Sequence, residues 1–332
     1  MLNNRFISLI LGLQAFFEDS SNKEKIELFI EKAKNENAWF SDYLIRHALD
    51  AINQQFFEVS SWEIFFEKQL ASSQTPKRVG LILSGNLPAV GMHDLLMLIA
   101  AGHLPVLKLS SQDKALMLMY IDAIRSIDST IVIEVVDRLP SVDAVIATGS
   151  DFSSSYFSNY FAKIPHIIRK NRSSVAVLTG NETKLDYEGL AADIFTYYGL
   201  GCRNVSTIAV PETFDLIPVF DVLTQVGWVL DHTKYSNNYQ YHKTLMLLNQ
   251  IPHFDLGNVI VTESEDLVSP VGVLHVHRYD SPEALESWLK QHAEKIQCVV
   301  GQKAIPFGQA QMPALDDWAD GINTYEFLVN LS

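Results

Sequence analysis

Apolar positions over the first 75 residues recur at helical spacing. Phe6, Ile10, Leu13 and Phe17 fall on one face and predict an amphipathic helix over 1–17 that packs on the body of the protein. Asn3, Asn4, Arg5 and Gln14 interrupt this run and no small-residue cleavage site follows it, so it reads as part of the fold rather than as a leader. Ser21-Asn22-Lys23-Glu24 and Ser60-Ser61-Trp62-Glu63 each match a capping box, and predict two further helix starts. Residues 1–75 are therefore expected to form a helical segment.

The polar stretch 72–77 ends that pattern, and short apolar runs begin to alternate with helical ones. Strands are expected at 79–83, 105–109, 130–136, 144–148, 164–168 and 175–178. Helices are expected at 92–101, 113–127, 153–161 and 185–198. Continuous apolar runs of this length suit strands buried on both faces, as in a doubly wound parallel sheet. After residue 202 the alternation restarts: strand 207–210, helix 214–225, strands 258–261 and 273–277, helix 282–293 and strand 297–300. Ser281, Pro282 and Glu283 supply an N-cap, a proline at the first helical position and an early acid for the last helix. The chain has no internal repeat.

Composition narrows the function classes. Apolar residues make up 48% of the 332 and charged residues 19%, which suits a packed α/β protein. Thirty-nine acidic against 25 basic residues give a formal charge of −14, and no basic stripe offsets it, so neither nucleic acid nor an anionic membrane is an expected partner. No segment has the roughly 18 uninterrupted apolar residues of a membrane span. Two cysteines, Cys202 and Cys298, stand far apart with no Cys-x-x-Cys or Cys/His cluster, so neither a disulfide framework nor a metal site is expected, and a reducing, cytoplasmic setting fits.

Four strand or helix ends hold candidate chemistry. Cys202 lies in Tyr198-Gly199-Leu200-Gly201-Cys202-Arg203-Asn204, where glycines let a substrate approach and Arg203 adds a charge that favours a thiolate. A buried, inert cysteine is the alternative, and it is the reading adopted for Cys298. Ser84-Gly85-Asn86-Leu87-Pro88 follows a strand and leads into a helix. At the carboxyl end of a parallel strand, Asn86 would offer its amide as an oxyanion donor; an ordinary turn is the alternative. Lys108, Ser110 and Ser111, at the end of the next strand, suit a ribose or phosphate, and Thr148-Gly149-Ser150 forms another strand end with a small, flexible turn; a solvated lysine and a plain turn are the alternatives. Neither a Gly-x-Gly-x-x-Gly fingerprint nor a P-loop is present. His275 and His277 alternate on an expected strand and read as structural.

Taken in order, these pieces resemble the aldehyde dehydrogenase superfamily, and in particular its LuxC-type fatty acyl-CoA reductase branch. Residues 84–88 are similar to the superfamily's Asn-Phe-Pro loop, 108–111 to its Lys-Pro-Ser-Glu cofactor motif, and 148–150 to its Phe-Thr-Gly-Ser turn. Gly199-Leu200-Gly201-Cys202 falls where the nucleophile belongs. Residues 265–271 resemble the Glu-Glu-Ile-Phe-Gly-Pro-Val stretch and 306–311 the late Pro-Phe-Gly loop. The phrases at 201–206 and 311–321 point to the acyl-CoA reductase branch. The resemblance implies two doubly wound α/β domains behind the helical segment: a cofactor-binding domain over 76–184, a catalytic domain over 185–310, and a tail, 311–332, that pairs as an edge strand in a homodimer.

It also implies roles. Cys202 would attack the acyl carbonyl, with Asn86 and the Cys202 backbone N–H holding the oxyanion; Pro88, Lys108, Ser110, Ser111, Gly149, Ser150, Asp266 and Phe307 would bind the nicotinamide cofactor. The general-base glutamate of the oxidising members is absent from the matching region 167–171, which favours reduction over hydrolysis of an acyl-enzyme. Ser111 replaces the glutamate that would repel a 2′-phosphate, which favours NADPH over NADH. Asp266 is one methylene shorter than the glutamate it replaces. The expected activity is NADPH-dependent reduction of an acyl-CoA, or another acyl-carrier thioester, to an aldehyde, with a possible acyl-transferring partner enzyme. The rivals are an acyl-phosphate reductase and a catalytically idle relative that binds acyl groups or a partner.

Overall fold

Four helices open the chain in the computed structural model, which describes residues 2–69, 75–149 and 151–331. They are α1 (Leu2–Glu18), α2 (Lys23–Glu36), α3 (Asp42–Phe56) and α4 (Val59–Lys68). α1 buries Phe6, Leu9, Ile10 and Leu13, and the Phe6 ring meets Trp62 edge-on at 4.6 Å between centroids. Neither expected capping box forms. The Asp19 carboxylate accepts the Ser21 N–H at 2.8 Å, so Ser21 lies in a short 3-10 turn and α2 starts beyond it. Glu58 accepts the Ser60 N–H at 3.3 Å, which starts α4 one residue ahead of Ser60. In both places an acid two residues upstream takes the serine's own N–H, the donor that the glutamate of the box was expected to serve.

The first of two units spans Met1–Lys170 together with Pro313–Ser332. Beyond the helices it contains β1 (Arg78–Ile82), α5 (Met92–Ala100), β2 (Leu104–Lys108), α6 (Lys114–Ile127), β3 (Glu134–Val135), β4 (Ala144–Thr148), α7 (Asp151–Tyr160) and β5 (His166–Arg169). The sheet is parallel throughout, in the order β3-β2-β1-β4-β5. β3 keeps only the end of the expected strand 130–136, because Asp128 accepts the Thr130 N–H and hydroxyl and bends the chain there.

The second unit, Asn171–Met312, contains β6 (Ser173–Val177), α8 (Lys184–Phe195), β7 (Val205–Pro211), α9 (Ile217–Leu223), α10 (Thr233–Leu248), β8 (Phe254–Asp255), β9 (Ile260–Glu263), β10 (Val273–Tyr279), α11 (Pro282–Gln291) and β11 (Ile296–Val300). Its sheet runs β11-β6-β7-β10-β9-β8, parallel except at the β8 edge. Val175, Ala209, Leu267, Trp288 and Ile296 pack into one buried cluster against it. The expected boundary between residues 184 and 185 is displaced, because β6 pairs with β7 and β11. The break falls at Lys170 and Asn171 instead. The helical segment 1–75 and the following sheet also belong to one unit, not two.

The tail is a correction. Residues 324–329 form a helix, α12 (Thr324–Val329), rather than an edge strand. Asn323 accepts the Glu326 N–H at 2.9 Å and caps it, while Tyr325 and Leu328 are buried in the first unit. Buried Arg169 ties it down, donating to Thr324 Oγ1 at 2.9 Å and pairing with Asp94 at 2.6 Å. The strand on which the expected homodimer rested is absent. Among the described residues no helix is long and apolar enough to cross a membrane.

Candidate functional site

In the first unit the chain leaves β1 toward β2 on one side and returns to β4 on the other. Ile82 lies alongside both Lys108 and Ala147, so the loops after β1, β2 and β4 emerge at one sheet edge. Such a switch of direction opens a crevice beyond the carboxyl ends of the strands. Asn86, Pro88, Lys108, Ser110, Ser111 and Gly149 are therefore brought to one place; Ser150 lies outside the described residues.

Their local settings differ. Asn86 is exposed, and its Oδ1 accepts the Ser84 hydroxyl at 2.9 Å. Pro88 is buried, Lys108 and Ser110 are half-buried, and Ser111 is exposed. Gly85 sits against the serine loop so closely that a Cβ there would lie 2.9 Å from Ser110 Cβ, so the first loop needs glycine at this point. Asp113, which sequence reasoning left without a role, fastens the two loops: its Oδ2 accepts the N–H of Ala89, whose φ is 50°, at 2.8 Å. Its Oδ1 is buried with no hydrogen-bond partner. Burial pushes this carboxyl well above the usual carboxylate range; the Ala89 N–H opposes that shift and the charge of Glu36 adds to it.

In the second unit, α8 ends at Phe195 rather than at the expected residue 198. Tyr197, Tyr198 and Gly199 all take left-handed backbone conformations, with φ of 57°, 55° and 76°. Three such residues in a row turn the chain sharply, and Cys202 emerges exposed just before β7. Two side chains hold this turn. The Asn204 amide donates to the carbonyls of Asp193 at 3.0 Å, Ile194 at 3.3 Å and Thr196 at 2.6 Å, meeting the last acceptors around the end of α8, and its Oδ1 accepts the Gly201 N–H at 2.8 Å. Ser174 Oγ donates to the Cys202 carbonyl at 3.0 Å and also contacts the sulfur of buried Cys298 at 3.0 Å. Cys202 is thus the exposed thiol and Cys298 the core one.

Asp193, buried on α8, receives the N–H groups of Gly308 at 2.7 Å and Ala310 at 2.9 Å, while Arg203 Nε donates to the Ala310 carbonyl. The half-buried Phe307 and the cysteine turn are brought together this way. Burial pushes the Asp193 carboxyl up to about 6, against the pull of these two N–H groups and the Arg203 charge. Neither Asp193 nor Asn204 had a role in the sequence reading. The only signal for Asp193 was a charged residue inside the apolar stretch Leu190-Ala191-Ala192-Asp193-Ile194-Phe195.

Asp266 is exposed on the return from β9 to β10. Its carbonyl accepts from His275 Nδ1 at 2.7 Å, and the adjoining Leu267 carbonyl accepts from Ser206 at 2.9 Å and Thr207 at 2.6 Å, at the start of β7. His275 is therefore structural, as is His277, whose ring stacks on Trp288 at 4.1 Å. Among the described residues no group of three or more His, Cys, Asp or Glu could hold a metal ion.

No family model and no curated protein matches the chain. Solved structures do. An indole-3-acetaldehyde dehydrogenase complexed with NAD+ superposes with a TM-score of 0.65 at 15% identity, over 90% of this chain and 72% of that one. An aldehyde dehydrogenase from Bacillus cereus, also an NAD+ complex, gives 0.67 at 15% identity over 90% and 72%. An aldehyde dehydrogenase of Mycobacterium tuberculosis complexed with NAD+ gives 0.63 at 12% identity over 95% and 77%. The fold is that of the aldehyde dehydrogenases, as the ordered motifs implied.

Proposed function

We propose that this protein is an oxidoreductase of the aldehyde dehydrogenase type that reduces an acyl-CoA, of the fatty class, to an aldehyde with NADPH through a thioester on Cys202. The observation that carries the reading is the exposed Cys202 on a braced left-handed turn, within a fold otherwise seen in aldehyde dehydrogenases. As a thiolate, Cys202 attacks the acyl carbonyl and expels the carrier thiol, which takes up a proton. The Cys202 N–H and the Asn86 amide are assigned to the oxyanion, where one such donor is worth about 3 kcal/mol of barrier. Collapse of the reduced hemithioacetal on Cys202 frees the aldehyde and restores the thiol.

The switch-point edge suits a dinucleotide: a lysine and two serine hydroxyls can meet ribose and phosphate oxygens, and Gly85 lets the backbone loops close up. Pro88, Lys108, Ser110, Ser111, Gly149 and Ser150 would hold one part of it, with Asp266 and Phe307 assigned to the other. When bound, the reduced nicotinamide supplies hydride to the acyl carbon. Three structural neighbours are NAD+ complexes, which supports a nicotinamide cofactor. The preference for NADPH rests on exposed Ser111, which leaves no carboxylate to repel a 2′-phosphate, and on Lys108 nearby. Reduction rather than oxidation rests on the segment 167–171, which contains no carboxylate; its Arg169 is committed to Asp94.

The test is NADPH consumption over a panel of acyl-CoAs, with the aldehyde trapped, in the wild type and in Cys202→Ser. Activity confined to the wild type supports the thioester route. NADPH oxidation that persists in Cys202→Ser, or release of acid instead of aldehyde, overturns it.

A further inference from the structure

We propose that Asp193 is a positioning residue for Cys202, coupling the nucleophile's turn to the loop 306–310 through one buried carboxyl group. The proposal rests on Cys202 being the nucleophile and deepens that reading by naming what sets its position. Asp193 works at both ends. Its side chain accepts the backbone N–H groups of Gly308 and Ala310, at 2.7 and 2.9 Å, while its own carbonyl receives the Asn204 amide at 3.0 Å. Asn204 in turn receives the Gly201 N–H, so the residues on either side of the cysteine are tied to the helix that carries Asp193. Arg203 closes the circuit by donating to the Ala310 carbonyl, one peptide group from an N–H that Asp193 holds.

The fit between helix and loop is close elsewhere too. A Cβ added at Gly189, one helical turn before Asp193, would stand 2.7 Å from the Phe307 carbonyl carbon and 2.9 Å from the Gly308 nitrogen. These contacts are backbone, so they cannot be relieved by moving a side chain. The loop therefore has one seat on α8, fixed by Gly189 on one turn and Asp193 on the next. A loop carrying Phe307 and a turn carrying Cys202 share that seat, so displacement of the loop moves the thiol.

The experiment compares Asp193→Asn, Asp193→Glu and Gly189→Ala with Thr183→Ala, which removes the N-terminal cap of the same helix without touching the loop. Three quantities are read: the rate at which iodoacetamide alkylates Cys202, followed on the Cys202 peptide; kcat and KM for acyl-CoA reduction; and the melting temperature. Asp193→Asn replaces one acceptor by an amide NH2 facing a backbone N–H. It is expected to lower kcat on the order of 100-fold, the scale of misplacing a reacting group by about 1 Å, with KM changed less than about threefold and the alkylation rate shifted. Asp193→Glu recovers part of the loss. Gly189→Ala, which leaves the carboxyl in place, reproduces the altered alkylation rate even should Asp193→Asn fail to fold. Thr183→Ala lowers the melting temperature and leaves both rates alone.

Wild-type alkylation in Gly189→Ala and in a folded Asp193→Asn overturns the proposal, as does a Thr183→Ala variant that reproduces their changes. Alkylation needs no turnover. A wild type that reduces no acyl donor, yet shows the altered alkylation in these variants, removes the reductase reading and leaves the positioning role standing; unaltered rates in an active enzyme do the reverse.

Discussion

Asp113 and Asp193 are both buried, both sit beside a candidate loop, and both bind backbone N–H groups across it, yet their surroundings differ. Asp193 has two N–H donors and the charge of Arg203, and is pushed up only to about 6. Asp113 has one donor, an oxygen with no partner, and Glu36 nearby, and burial lifts it well above the usual carboxylate range. The contrast separates two uses of the same group. A carboxylate with its acceptors filled can stay charged near neutral pH and serve as a firm clamp, whereas one half-filled is driven toward its neutral form and holds its loop with a weaker bond.

The widest separation between the two regions is expected from chemistry against binding. Cys202→Ser should reduce turnover about 10,000-fold or more while NADPH still titrates the protein, and Lys108→Ala should do the opposite, weakening the titration more than it slows a saturated enzyme. Loss of binding in Cys202→Ser would break the division.

Next in size is Asp113→Ala, which leaves the buried Ala89 N–H without its acceptor and should cost about 2 kcal/mol in denaturant unfolding. Asp113→Asn keeps that acceptor and removes the ionisation. Because the native value lies above the ordinary one, folding favours the protonated acid. Wild-type stability from this group is thus full below about pH 4 and falls as pH rises toward the native value. The melting temperature of Asp113→Asn relative to wild type should therefore climb with pH. The corresponding loss at Asp193 should be complete by about pH 7, since its native value is near 6. Parallel pH curves for Asp113→Asn and Asp193→Asn, each against wild type, would erase the distinction.

Ser111→Glu should shift the cofactor preference from NADPH toward NADH by roughly tenfold in the ratio of kcat/KM, and a wild type already preferring NADH would remove the premise. Smallest is Thr183→Ala, which breaks the capping box with Asp186 and should cost about 1 kcal/mol in a thermal or denaturant melt.

Much of this was legible from the chain because the signals were local. Unbroken apolar runs such as Leu81-Ile82-Leu83 and Ala144-Val145-Ile146 mark buried strands, and the loops that follow them carry their candidate residues wherever the strands go. What was missed depends on partners far along the chain. Asp193 meets Gly308 and Ala310 more than a hundred residues later, and no window of sequence contains both ends. α10 was missed because its polar sequence lacks apolar periodicity; Tyr235 is nevertheless buried there, its hydroxyl donating to Asn258 O at 2.9 Å. The tail was misread for a different reason. Asn323 with Glu326 three positions on is a helix start, whereas the edge-strand expectation for 323–331 rests on apolar content alone.

The consecutive left-handed tyrosines bear on when Cys202 acquires its setting. Tyrosine in that conformation is disfavoured by roughly 1–2 kcal/mol, so Tyr197 and Tyr198 would not hold it in an isolated peptide. The Tyr198 ring lies 5.6 Å from that of Trp228, 4.4 Å from that of His232 and 6.2 Å from that of Tyr235. During synthesis Cys202 therefore emerges before the aromatic rings that help to shape its turn. A fragment ending before residue 228 would contain the thiol without that support.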